Sequence, residues 1–149
     1  MSRIAVIGLD GRPLPPGAAG LLEGASLVAG GRRHLEDLAV EPERAVAFEG
    51  DLSVALSRIE AEGGPVVVLA SGDPGFFGIV RLLGERFGPA DLRVVPAVSS
   101  VALAFARAGI SWDDAVTVSV HGREPHRAVN VCRAHPKVAV LTSPEFGPA

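Results

Sequence analysis

The residues of this sequence that could do chemistry gather in three loops. Asp73 stands in Ser71-Gly72-Asp73-Pro74-Gly75, directly after the apolar run Val66–Ala70. Its carboxylate could bind an ammonium or hydroxyl group through a charge-assisted hydrogen bond. A turn-former bonding its own backbone accounts for Asp73 equally well. Gly8 and Gly11 close an earlier run in Gly8-Leu9-Asp10-Gly11, and Ser99 and Ser100 end Pro96-Ala97-Val98-Ser99-Ser100. Glycines at strand ends let backbone N–H and C=O groups approach a ligand closely, although plain turn geometry explains them as simply. Serines at such a place cap a helix, contact a ligand, or do both. Gly8 and Gly11 do not form the dinucleotide fingerprint G-x-G-x-x-G, because Arg12-Pro13-Leu14 follows them. Pro13, Pro15 and Pro16 keep that loop extended, with no helix N-terminus immediately behind it to hold a pyrophosphate.

No Ser/His/Asp set and no pair of carboxylates has the spacing of an acid–base site, so no catalytic residue and no metal ligand is assigned. Arg12, Arg32, Arg33 and Arg123 sit at or near strand ends, and His121 stands in H-G-R; each could meet an anionic or polar ligand, and each fits a solvated surface. The single Cys132 excludes an internal disulfide and a multi-cysteine metal site, and reads as a small packing residue.

At 149 residues and 48% hydrophobic, the chain is long enough to bury one ordinary core. A net charge of −3 carries no basic footprint for nucleic acid. The N-terminus lacks a signal-peptide pattern, and no window reaches the ~18 apolar residues of a membrane span, so the expectation is a soluble cytoplasmic protein with no membrane partner.

The elements that must position these loops follow from periodicity. Short apolar runs at 3–7, 26–29, 45–48, 66–70 and 92–95 read as strands, the stretch at 66–70 as one buried on both faces. Helices are expected at 18–23 and 32–38, and from the cap Asp51 with a stripe of Leu52, Ala55, Leu56 and Ile59. Phe76, Ile79, Val80, Leu83 and Phe87 predict one helical stripe starting right behind the Asp73 loop, and Val101, Ala104, Phe105 and Ala108 another. The alternation predicts an α/β fold, a mostly parallel five-stranded sheet with helices on both faces. A second α/β domain is expected to begin after a boundary near 113, with strands at 115–120 and 137–141, a helix at 127–134 and a further helix entered near Thr142. This gives domains 1–113 and 114–149, the latter apparently truncated.

Three loops in this order, G-L-D-G, S-G-D-P-G-F-F-G and P-A-V-S-S, resemble those of the tetrapyrrole methylase family, S-adenosylmethionine-dependent methyltransferases with two α/β domains and the cofactor in the cleft between them. LASGDPGFFGIVRLL, PAVSSVALAFARAGISWDDA, VSVHGR and AGGRRHLEDL are similar to the cobalamin-pathway branch that methylates carbon 5 of a precorrin. Ala97 stands where the family usually has glycine, and members have a complete second domain. The resemblance implies S-adenosylmethionine as cofactor, bound by Gly8, Gly11, Gly72, Asp73, Phe76, Ser99, Ser100 and Thr142. It implies a precorrin acceptor, a homodimer, and a decarboxylating methyltransferase as partner or fused domain. The alternatives are a family member with another acceptor, such as uroporphyrinogen or a diphthamide precursor, and a non-catalytic nucleotide-binding module.

Overall fold

Three runs, Ile4–Ile7, Leu27–Ala29 and Val66–Leu69, are almost wholly shielded from water on both faces of a sheet. Continuous apolar sequence of this kind suits strands covered on both sides, because neither face of the pleat meets solvent. In a computed structural model, which describes residues 2–120, 124–143 and 147, they form the centre of a five-stranded sheet. Its strands are β1 (Ile4–Leu9), β2 (Leu27–Gly30), β3 (Ala45–Ala47), β4 (Val66–Ser71) and β5 (Leu92–Val95). All four pairings are parallel, in the order β3-β2-β4-β1-β5. The expected α/β class, five strands and parallel sheet are all present.

Alternate residues of the central strands build two cores. On one face Ala5, Ile7, Val28, Val67 and Leu69 pack with Ala18 and Leu22 of α1 (Ala18–Glu23) and Leu35 of α2 (Arg32–Asp37). On the other, Ile4, Val6, Leu27, Ala29, Val66 and Val68 pack with Ile59 of α3 (Leu52–Ala61) and Leu83 of α4 (Val80–Phe87). Asp51 caps α3 as expected, its carboxylate accepting the Ser53 N–H at 2.8 Å.

The far end of α3 is held by a residue that periodicity does not mark. Arg3 Nη1 donates to the carbonyls of Ile59 at 3.0 Å and Glu62 at 2.7 Å, and its guanidinium lies 5.7 Å from the Phe87 ring centre. It thereby satisfies carbonyls that a helix end leaves without partners. Arg3→Ala is expected to cost about 1–3 kcal/mol in thermal or urea unfolding, and an unchanged midpoint would contradict this role.

One expected boundary is corrected. The helix behind the Asp73 loop begins at Val80, and Pro74–Ile79 forms successive turns and bends. Phe77 adopts φ +54°, which no right-handed helix accommodates, and Gly78 lies against the Pro74 carbonyl. Ile79 and Val80 still pack on the second core, so the apolar spacing continues although the helix does not.

By internal contacts the chain forms two units, Met1–Ser99 and Ser100–Ala149. The second holds α5 (Ser100–Ala108), β6 (Val116–Ser119), α6 (His126–Ala134) and β7 (Val138–Leu141), with β6 and β7 parallel and Val118, Val120 and Ala128 at its core. His121, Arg123 and most of the expected further helix behind Thr142 lie outside the described residues.

Candidate functional site

Strand order decides which loops meet. β1 lies between β4 and β5, so the loops leaving these three carboxyl ends are neighbours, although 60 and more residues separate the first from the others. Carboxyl ends of open parallel sheets are where such folds bind ligands. Gly8, the buried penultimate residue of β1, marks the point of convergence. A Cβ there would lie 2.3 Å from the Gly72 carbonyl oxygen and 2.7 Å from the Ala97 nitrogen, one from each neighbouring loop. The Gly72 N–H donates to the Leu9 carbonyl at 2.6 Å, fastening the β4 loop to β1.

A second tie runs through Asp10, a residue that the sequence analysis passed over. Its carboxylate accepts from the Arg12 backbone at 3.2 Å, from Arg12 Nε at 3.0 Å and Nη2 at 2.5 Å, and from the Val98 N–H of the β5 loop at 3.4 Å. Only 13% of this side chain is exposed. The hydrogen bonds from Arg12 outweigh desolvation and hold the carboxyl at about 2, against an ordinary 3.8. A folded-state value below the unfolded one means that Asp10 stabilises the protein above pH 3.8 and loses that contribution as pH falls toward 2. Asp10→Asn should therefore lower the midpoint of unfolding at neutral pH and narrow its difference from the parent protein near pH 2. A constant difference across that range would reject the linkage. The one available signal was position, an acid between the two loop glycines.

Beside these ties lies a cleft of about 490 Å³, lined by Gly8–Asp10, Arg12–Pro15 and Pro96–Val98. Its walls are largely apolar, from Pro13, Leu14, Pro15, Ala97 and Val98, with few polar groups, the composition of a small-molecule site. Gly11 adopts φ +81° beside open space, and Gly72 φ +62°.

In the β4 loop Asp73 makes the turn contact: its Oδ1 accepts the Gly75 N–H at 2.8 Å. Its backbone carbonyl accepts the N–H of Phe76 at 3.1 Å, and the Phe76 ring meets Phe77 edge-on at 5.0 Å between centres. Thus Gly8, Gly11, Gly72, Asp73, Phe76 and Ser99 all belong to the three loops of the first unit, whereas Ser100 and Thr142 belong to the second. There Ser100 and Thr142 line one cleft of about 520 Å³ together with Val101, Ala104, Phe105 and β7.

Of the basic candidates, Arg12 is paired with Asp10, and Arg32 with Glu49 through Nε at 2.7 Å. Among the described residues no cluster of His, Cys, Asp or Glu could hold a metal ion, and no helix is long and apolar enough to cross a membrane. On the other side of β4, His34 of α2 places Nε2 3.2 Å from Ser71 Oγ, while its Nδ1 is buried with no hydrogen-bond partner. Burial, reinforced by the charge of Arg33, lowers the affinity of this imidazole for a second proton.

The parallel sheet and its three converging loops, two of them bearing glycine, define a class. Residues 7–147 match the family model of Tetrapyrrole (Corrin/Porphyrin) Methylases, and the chain belongs to that family. It is 42% identical over 158 aligned positions to a precorrin-6Y C(5,15)-methyltransferase [decarboxylating] from Sinorhizobium, covering 95% of this chain and 35% of that protein. It is 35% identical over 150 positions to a cobalt-precorrin-7 C(5)-methyltransferase of Salmonella typhimurium, covering 99% of this chain and 74% of that one. The chain thus spans about a third of the first relative's length and about three quarters of the second's. A solved precorrin-6Y methylase from Archaeoglobus fulgidus superposes with a TM-score of 0.66 at 27% identity, over 84% of this chain and 68% of that chain.

Proposed function

We propose that this chain takes part in S-adenosylmethionine-dependent methylation of carbon 5 of a precorrin, a step of cobalamin biosynthesis in the cytoplasm. The observation that supports this best is the meeting of the β4, β1 and β5 loops at one edge of the sheet. These are the loops whose sequences carry the family resemblance. The relatives' names supply the acceptor class. A homodimer and a decarboxylating partner or fused domain belong to the same proposal.

The cleft suits the cofactor. Its apolar walls fit an adenosine, and the open space over Gly11 leaves backbone groups accessible. S-adenosylmethionine, when bound, supplies a methyl group already activated by a sulfonium centre. What remains for the protein is binding, alignment and exclusion of water, so no acid–base pair is required. Gly11, Gly72, Asp73, Phe76 and Ser99 are assigned to cofactor binding, with Gly8 keeping the loops in contact. Ser100 and Thr142 carry the same assignment in the C-terminal unit.

Calorimetric titration with S-adenosylhomocysteine tests this. Asp73→Ala is expected to weaken binding about tenfold or more, the scale of one charge-assisted contact. Asp73→Asn keeps an acceptor for the Gly75 N–H, so weakened binding in that variant separates the charge from the turn. Should a chain extended over the full length of the Salmonella relative still not bind S-adenosylhomocysteine, the methyltransferase reading falls.

A further inference from the structure

The sheet has a second place suited to a ligand. The chain leaves β2 toward β3 along the face covered by α1 and α2, and leaves β4 in the opposite direction, toward β5, along the face covered by α3 and α4. Connections that diverge from adjacent strands open a crevice at their carboxyl ends, the switch point at which open α/β sheets bind ligands. Here that switch point lies between β2 and β4, on the other side of β4 from β1 and the cleft described above.

One polar pair spans it. His34, in the first turn of α2, reaches Ser71, the last residue of β4, at 3.2 Å from Nε2 to Oγ. Nδ1 is buried without a partner, and protonating it would leave a buried N–H with no acceptor. The favoured tautomer therefore carries its proton on Nε2 and donates it to Ser71 Oγ. Ser71 is exposed, and with its oxygen accepting from His34 its own hydroxyl hydrogen remains available to donate to a ligand. Arg33, next to His34 in the chain, is exposed, its charge acts on the imidazole, and among the described residues it makes no ion pair. A donor hydroxyl held by His34, with a long, exposed cationic side chain one residue from that histidine, suits a carboxylate.

We propose that the crevice between β2 and β4 is an acceptor subsite, in which Ser71, positioned by His34, and Arg33 take a peripheral carboxylate of the tetrapyrrole. This rests on the acceptor class proposed above. It divides the carboxyl edge in two, with the methyl donor at the β4-β1-β5 loops and the acceptor's anionic rim at β2 and β4.

The probes are uroporphyrin, a polycarboxylate tetrapyrrole, followed by fluorescence, and S-adenosylhomocysteine, followed by calorimetry, both on the full chain. Ser71→Ala and His34→Ala are expected to weaken uroporphyrin binding roughly tenfold, the effect of one hydrogen bond to a charged group. His34→Gln, which keeps a donor within reach of Ser71, should recover most of that loss. Arg33→Gln should weaken binding and flatten its dependence on salt. S-adenosylhomocysteine affinity should stay within about twofold in all four variants, which also reports that they fold. Undiminished uroporphyrin binding by Ser71→Ala, or no binding by the parent chain, overturns the subsite. An equal loss of S-adenosylhomocysteine affinity in Ser71→Ala also overturns it, by assigning the pair to the donor site. If uroporphyrin binds but neither the parent chain nor one extended over the full length of the Salmonella relative binds S-adenosylhomocysteine, the donor reading fails while the subsite stands.

Discussion

Gly8→Ala is expected to lower the stability of this protein by about 3 kcal/mol or more and to abolish measurable binding of S-adenosylhomocysteine. The added methyl would sit 2.3 Å from the Gly72 carbonyl oxygen, 2.7 Å from the Ala97 nitrogen and 3.0 Å from the Ala97 Cβ. The first two are backbone atoms of neighbouring loops, so no side-chain rotation relieves the overlap. Gly72 is further fastened by its N–H to the Leu9 carbonyl. Relief requires the β4 and β5 loops to separate from β1, which costs the overpacking energy of a tight core and opens the point where the three loops meet. Gly11→Ala is the natural comparison. Nothing lies within 4 Å of its Cβ position, so only the φ of +81° opposes the change, at about 1 kcal/mol. Thermal unfolding of the two variants side by side decides the matter, and equal midpoints would show that the loops do not meet as described.

Gly78→Ala should be the next most damaging change. Its Cβ would stand 2.4 Å from the Pro74 carbonyl oxygen and 2.9 Å from the carbonyl carbon. Pro74 is among the most buried residues of the chain, and its carbonyl also receives the Val80 N–H at 3.3 Å. The loop must therefore yield on the Gly78 side, displacing Phe77, which already holds φ +54°. A loss of about 1–3 kcal/mol is expected. S-adenosylhomocysteine affinity should fall about tenfold through movement of Asp73 and Phe76, with a smaller loss of stability than in Gly8→Ala. Unchanged affinity in a folded Gly78→Ala protein would remove this segment from the site.

Much of this architecture is legible in the sequence, because its signals are local. Val66–Leu69 can be read as a doubly covered strand because every residue is apolar, and Asp51 as a cap because its carboxylate acts two residues away. The β4 loop defeats local reasoning. The spacing Phe76, Ile79, Val80, Leu83 looks helical, yet the stretch before Val80 is set by the packing of Gly78 on the buried Pro74, which no periodicity expresses. Asp10 and Arg3 were missed for a related reason, since their partners Val98, Ile59 and Glu62 lie 88, 56 and 59 residues away.

The sequence by itself determined the alternation of strands and helices, the three loops that carry the family resemblance, and the residues each loop contains. The tertiary structure alone decided that β1 runs between β4 and β5, so that Gly8, Gly72 and Ala97 touch, and that β2 lies beside β4, so that His34 reaches Ser71. The physical reason is that parallel strands pair through backbone hydrogen bonds common to every residue, while their order is settled by which faces can be covered together. That is a property of the whole core and of no single stretch of chain.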